Sequence, residues 1–148
     1  MSKLALLGGA PVRTELFAAY NTMGEEEKKA VMKVLDSGNL SQFLGAWTGD
    51  FFGGPNVRNF EETWASLIGA RHAVSVHSNT SGLIAAVGAL GVGPGDEVVV
   101  SPYTMTASAI APVMYGAVPV FADIDEDIFC ISPAAFKKAI TPRTKAII

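Results

Sequence analysis

The feature that most constrains the fold is a regular alternation of apolar runs with helical patterns over the second half of the chain. The runs are "HAVSV", "EVVVS", "VPVFADI" and "TKAII", and a segment with helical periodicity separates each run from the next. Strands that are almost continuously apolar are typical of parallel sheets covered on both faces. The sequence therefore predicts an α/β fold, with a mostly parallel sheet flanked by helices.

Helices are predicted between these runs, over residues 80–90, 106–115 and 133–140. Another is predicted just before the first run, at residues 56–68. Apolar side chains recur on one face of that helix and predict a buried stripe made of Phe60, Trp64, Leu67 and Ile68.

The first third of the chain has a different character. Residues 25–35 predict a helix that Gly38 and Asn39 stop, whereas residues 39–55 have neither helical nor strand periodicity and predict a loop. This loop carries Phe43, Trp47, Phe51 and Phe52, and it either packs on the surface or faces a substrate or subunit interface. We therefore predict an N-terminal helix-and-loop segment over residues 1–55 and an α/β domain over residues 56–148.

Charge and cysteine content exclude several classes of protein. The net charge is −3 and no basic block is present, which argues against binding to nucleic acid or to an anionic membrane. No apolar run is long enough to span a bilayer. The single cysteine, Cys130, cannot form an internal disulfide, so a reducing cytoplasm fits the composition.

Small polar residues are concentrated in "HSNTSG", residues 77–82, where the first apolar run meets a helix. A helix N-terminus presents unpaired N–H groups and a partial positive charge, and such a place suits a phosphate when it follows a parallel strand. Ordinary helix capping also favours Ser, Thr and Asn. Both interpretations stay open from this stretch alone.

The stretch "SPYTMTAS", residues 101–108, follows the second apolar run. Ligands of open α/β sheets bind at the carboxyl ends of the strands. Tyr103 and Met105 therefore either line a ligand site or cover the core.

Other sequence patterns do not support a nucleotide loop, a metal site or a hydrolase. "GVGPGD" lies between a helix and a strand, the reverse of the dinucleotide fingerprint, and predicts a helix stop and turn. His72, His77 and Cys130 lack partners at zinc or nucleophile spacing. Charged groups predicted to be solvated are Asp123, Asp125, Asp127, Arg58, Glu61 and Glu62.

Taken together, these segments resemble the N-terminal part of the DegT/StrS family of pyridoxal phosphate (PLP) sugar aminotransferases. The resemblance is carried by "GPNVRNFEETWASLIGARHAVSVHSNTSGL", "LGVGPGDEVVVSPYTMTASA", "YGAVPVFADID" and "ISPAAFKKAITPRTKAII". It implies the large PLP-binding domain of the fold-type I aminotransferases. In such enzymes the turn that matches Asn79, Thr80 and Ser81 holds the PLP phosphate. The opening "LALLGGAPVR" resembles the branch with inosose and aminohydroxybenzoate-type enzymes.

The chain departs from the family pattern in two places. The family stacks an aromatic side chain on the pyridine ring, and Met105 stands at that position, so Tyr103 is expected to compensate or the ring is held more loosely. The family's cofactor-bonding lysine matches none of the lysines here, which are Lys3, Lys28, Lys29, Lys33, Lys137, Lys138 and Lys145. We therefore name no catalytic residue and expect the lysine downstream of Ile148, in a longer chain of which this piece alone is inactive.

The resemblance implies transfer of an amino group from glutamate or glutamine to a keto-sugar or cyclitol, by a homodimer. Two alternatives remain from the sequence. One is a related sugar dehydratase, which a histidine in place of the downstream lysine would mark. The other is a non-catalytic module that binds a phosphorylated ligand.

Overall fold

The computed structural model describes residues 3–148 and divides the chain into two compact units. The first unit ends at Gly54. It contains a 3-10 helix at Ala5–Leu7 and helix α1 at Glu25–Asp36. Three glutamates occupy the first turn of α1, where negative charge is favourable next to the helix N-terminus.

The predicted loop is confirmed, because residues 39–54 contain neither helix nor strand. Its aromatic rings contact one another: Trp47 stacks on Phe51 with 4.4 Å between ring centroids, and Phe52 meets Phe51 edge-on at 5.0 Å. The Gln42 side-chain amide donates to Asp50 Oδ1 at 3.1 Å and ties two parts of the loop together.

The second unit, Pro55–Ile148, contains the sheet. Its elements in chain order are α2 (Pro55–Ile68), α3 (Asn79–Ala89), β1 (Glu97–Val100), α4 (Ala107–Val113), β2 (Val118–Phe121), α5 (Pro133–Ala139) and β3 (Thr144–Ile147). The strands lie in the order β2-β1-β3 and both pairings are parallel. The predicted parallel α/β fold is thereby confirmed. Among residues 3–148, no helix is long and apolar enough to cross a membrane.

The core of this unit forms where α3 and α4 cover the central strand. All four residues of β1 are buried, as its continuous run of valines predicts. Val98 and Val100 pack with Val87 of α3 and Ala111 of α4, and the cluster is completed by Val92 and Ala117. The predicted turn "GVGPGD" joins α3 to β1 and is confirmed, since Gly91 ends α3 with a φ of 70°.

The first predicted strand, "HAVSV", is wrong for the structure, because residues 72–76 form no strand. A strand exists only where a neighbour completes its hydrogen-bond ladder. Both edges of β1 are taken by β2 and β3, and residues 72–76 pair with neither of those outer strands. The segment therefore has the apolar pattern of a strand, but no strand within the described part of the chain pairs with it.

The buried stripe predicted for α2 is also wrong. Trp64 is 48% exposed and Leu67 is 75% exposed, and Phe60 and Ile68 lie between these values. The residue of α2 that is buried is Ala65. The amphipathic pattern describes a face that can be buried, but burial requires an element that packs against it.

Helix α3 and the turn that follows α4 approach each other closely at Gly88. A Cβ atom built on Gly88 would lie 2.7 Å from Cζ of Tyr115, which is too close for two carbon atoms. We expect Gly88→Ala to lower the free energy of unfolding by about 1–2 kcal/mol, since overpacking outweighs the ~1 kcal/mol that alanine gains over glycine in a helix. Urea unfolding measures this change. In a Tyr115→Leu background the same substitution should be neutral or stabilising, and stabilisation in the wild type would contradict the close contact.

Candidate functional site

The topology places the N-terminus of α3 near the carboxyl end of β1. A short turn, residues 90–96, leads from α3 into β1, and the two elements pack together through Val87 and Val98. The helix must therefore run back along the strand. Its 11 residues span about 16 Å, at 1.5 Å per residue, which carries its first turn to the level at which the strand ends.

The first turn of α3 is both capped and open. Ser78 is the N-cap, and its Oγ accepts the backbone N–H of Ser81 at 3.2 Å. The backbone N–H groups of Asn79 and Thr80 have no acceptor among residues 3–148. Capping thus accounts for one amide of the turn, and two adjacent amides remain available to an anion.

The hydroxyl of Ser81 lies inside a small polar network. Ser78 Oγ donates to Ser81 Oγ at 3.1 Å, and the His77 ring nitrogens lie 3.0 Å (Nε2) and 3.3 Å (Nδ1) from the same oxygen. Asn79 and Thr80 are exposed, whereas Ser81 is half-buried. Sequence reasoning missed the contact to His77, although a spacing of four residues at a helix start was a usable signal.

The second predicted segment is a loop that leaves the end of β1. Tyr103 is 67% exposed and Met105 is 80% exposed, so neither covers the core. The loop is held by Ser101, whose Oγ accepts the N–H of Tyr103 at 3.1 Å. The Tyr103 ring contacts Phe129, with 5.6 Å between ring centroids, and this neighbour was not predicted.

The structure brings the two predicted segments to one end of the sheet but does not join them. No hydrogen bond within residues 3–148 links Asn79, Thr80 or Ser81 to Tyr103 or Met105.

Glu61 was predicted to belong to a solvated face, and this is wrong. Its Oε1 accepts both the backbone N–H of Ser75, at 2.6 Å, and the Ser75 hydroxyl, at 2.8 Å. The carboxylate therefore gives Ser75 a hydrogen-bond acceptor that a neighbouring strand would otherwise supply. It also links the segment that precedes α3 to helix α2. Of the aspartates after β2, Asp123 and Asp127 are exposed, as predicted, whereas Asp125 is half-buried and accepts the N–H of Asp127 at 3.0 Å.

The opposite end of β1 holds an ion pair between a buried glutamate and a mostly exposed arginine. Glu97, at the start of β1, is 5% exposed, and its carboxylate accepts the Thr141 hydroxyl at 2.5 Å and Nε of Arg143 at 2.8 Å. The Thr141 hydroxyl, and next the Arg143 guanidinium, hold the pKa of Glu97 below its ordinary value of 4.5, although burial acts in the other direction. This cluster ties β1 to the start of β3, on the side away from the candidate site.

The fold and the candidate site together define a class: a parallel α/β protein with free helix N-terminal amides at the strand ends. The sequence profile of the DegT/DnrJ/EryC1/StrS aminotransferase family matches residues 21–148. The chain belongs to this family, as the resemblance of its motifs predicts.

Individual relatives agree with this assignment. The chain is 44% identical to the spore coat polysaccharide biosynthesis protein SpsC of Bacillus subtilis (strain 168), over 85% of this chain and 30% of that protein. It is 39% identical to an L-glutamine:2-deoxy-scyllo-inosose aminotransferase of Streptomyces kanamyceticus, over 99% of this chain and 34% of that protein.

A solved structure shows the same fold. NtdA of Bacillus subtilis, crystallised with the bound cofactor PMP, superposes with a TM-score of 0.70 and 31% identity, over 81% of this chain and 25% of that one. The chain thus spans about a third of the length of the curated relatives it matches.

Proposed function

We propose that this chain supplies the phosphate-binding part of a pyridoxal phosphate-dependent aminotransferase, which moves an amino group from glutamine or glutamate to a keto-sugar or cyclitol. The observation that carries the proposal is the pair of unpartnered amides at Asn79 and Thr80, at the start of α3. Membership of the aminotransferase family and 39% identity to a glutamine:inosose aminotransferase support the substrate class.

The residues present fit the cofactor's phosphate. Two backbone N–H groups and the hydroxyls of Thr80 and Ser81 offer hydrogen bonds to a dianion, and the helix N-terminus adds a favourable dipole. Tyr103 and Met105 are the side chains that would contact the pyridine ring, Met105 through a thioether rather than an aromatic face. When bound, the cofactor supplies the electron sink that transamination needs. A homodimeric assembly and a cytoplasmic location belong to the same proposal.

Pyridoxamine phosphate and pyridoxamine measure the phosphate site directly. They differ only by the phosphate, and neither carries an aldehyde that would react with lysines. We expect calorimetric titration of the purified protein to give binding of pyridoxamine phosphate at least about 100-fold tighter than that of pyridoxamine, because several charge-assisted hydrogen bonds are added.

A pair of variants at Asn79 tests whether the backbone amide takes part. Proline is tolerated at the first position of a helix and removes only the N–H, and Ser78 before it is already extended, with φ −158° and ψ 158°. We expect Asn79→Pro to weaken the binding of pyridoxamine phosphate about 10-fold or more at unchanged thermal stability. Asn79→Ala keeps the N–H, so its affinity for pyridoxamine phosphate should stay within about 3-fold of the wild-type value. Equal effects of the two substitutions would contradict an amide cradle.

Activity separates the proposed reaction from its alternatives. A longer protein that contains this chain together with the expected downstream lysine should convert a keto-cyclitol to its amine with glutamine as donor. Phosphate-dependent cofactor binding without this activity would favour the non-catalytic module, and loss of a sugar hydroxyl in place of amine formation would favour a dehydratase.

A further inference from the structure

The segment that leads into the first turn of α3 is held by one carboxylate. Among residues 3–148, the backbone of residues 71–77 makes a single hydrogen bond, which the N–H of Ser75 donates to Oε1 of Glu61 at 2.6 Å. The Ser75 hydroxyl donates to the same oxygen at 2.8 Å. A side chain of α2 therefore supplies the hydrogen-bond anchor of a segment that no described strand pairs with.

This anchor lies close to the turn that offers its amides to a phosphate. Ser75 stands three residues before Ser78, the N-cap of α3, whose backbone is extended. Between them Val76 packs on the helix, since its Cγ2 lies 3.4 Å from the position that a Cβ atom would take on Gly82. Extended residues span at most about 3.6 Å each, so a short stretch of chain transmits the position of Ser75 to the N-cap.

The direction of the Asn79 amide depends on how Ser78 is held. The N–H of Asn79 belongs to the peptide unit that joins these two residues, and that unit is planar, so rotation about the Ser78 backbone turns the N–H with it. On the helix side Ser78 is fixed by the N–H of Ser81. On the other side it is reached only through the segment that Glu61 anchors.

We propose that Glu61 is a positioning residue for the cofactor's phosphate: it holds Ser75, fixes the entry of the chain into α3, and thereby keeps the Asn79 amide directed at the phosphate. This inference rests on the proposed function. Glu61 acts through Ser75 and does not itself touch the phosphate. The role requires a hydrogen-bond acceptor at Oε1 and not a negative charge, because a charge would repel a dianion.

Glutamine separates these two properties of the side chain, since its Oε1 also accepts two hydrogen bonds but carries no charge. Calorimetric titration with pyridoxamine phosphate and pyridoxamine compares the variants. We expect Glu61→Ala to weaken the binding of pyridoxamine phosphate about 5- to 10-fold and to leave that of pyridoxamine within about 2-fold, because fewer molecules hold the amide in the binding direction and only the phosphate uses it.

Two further variants control for charge and for the loss of a surface glutamate. Glu61→Gln keeps the acceptor, so its affinity for pyridoxamine phosphate should stay within about 3-fold of the wild-type value. Glu62→Ala removes an exposed carboxylate from the next position of α2 and should change neither affinity.

Ser75 shows whether Glu61 acts through it. Ser75→Ala keeps the N–H and loses the hydroxyl, so it should weaken pyridoxamine phosphate about 2- to 3-fold and should have no further effect in a Glu61→Ala background. Amide hydrogen exchange should show that the N–H of Ser75 is protected in the wild type and in Glu61→Gln but not in Glu61→Ala.

Additive effects of the two alanine substitutions, or equal weakening of both ligands in Glu61→Ala, would overturn the inference in favour of a role in stability alone. Tighter binding of pyridoxamine phosphate by both Glu61 variants would overturn it in favour of charge repulsion. If Glu61→Ala does not fold, an unchanged phosphate preference in Ser75→Ala overturns it. A wild-type protein that does not distinguish the two ligands would instead overturn the proposed function.

Discussion

Truncating Val98 to alanine is expected to lower the free energy of unfolding by about 2–3 kcal/mol, from two lost methyl groups and the cavity they leave. Val98 lies in the central strand β1, is fully buried, and packs in the cluster that joins β1 to α3 and α4. No other described strand can take over this contact, because β1 alone lies between two parallel neighbours.

The matched control is the same truncation one strand away. Val118 of β2 is 52% exposed, so Val118→Ala should cost less than about 1 kcal/mol. Urea unfolding followed by far-ultraviolet circular dichroism measures both variants. Equal costs at the two positions would show that β1 is not the centre of the cooperative unit.

Replacing Glu97 with glutamine is expected to remove the part of the protein's sensitivity to acid that this carboxyl contributes. Hydrogen bonds from Thr141 and Arg143 lower the pKa of Glu97 below 4.5 in the folded state. A carboxyl whose folded pKa is lowered stabilises the protein fully above its unfolded value, and this contribution is lost as the pH falls through the lower folded value. The pH range in which this contribution is lost therefore begins at about pH 4.5 and extends to lower pH.

Urea midpoints measured from pH 7 to pH 3 test this linkage. The wild type should lose stability below about pH 4.5, whereas Glu97→Gln should be less stable at pH 7 and decline less below that point. Glu126→Gln, at an exposed carboxylate after β2, is the control and should follow the wild-type curve. Parallel curves for wild type and Glu97→Gln would contradict the role assigned to the Glu97 carboxylate.

Local pattern was a good guide where a segment's neighbours are close in sequence. The helices after residue 55 were predicted to within a few residues, and the uninterrupted valines of β1 predicted burial on both faces correctly. The turn at Gly91 was also predictable, because its backbone conformation favours glycine and depends only on adjacent residues.

Prediction from the sequence pattern failed where the structure of a segment depends on the residues that pair with it or pack against it. "HAVSV" has the composition of a strand, but within the described chain no strand pairs with it. The stripe from Phe60 to Ile68 has the right period, but it is not covered. Glu61 was predicted to be a surface charge, but it bonds Ser75, 14 residues away; the partners of Glu97 lie 44 and 46 residues away.

For the candidate site, the sequence by itself determined the residue types: small polar groups before a helix, and Tyr103 and Met105 after a buried strand. These residue types follow from local preferences for caps, turns and strand ends, and those preferences depend only on residues close together in the sequence. Only the tertiary structure decided that Ser78 occupies the amide of Ser81, that the amides of Asn79 and Thr80 stay free, and that His77 faces the Ser81 hydroxyl. Each polar group can make only a limited number of hydrogen bonds. Which donor remains available therefore depends on the positions of all neighbouring acceptors, and those positions are fixed only when the chain is folded.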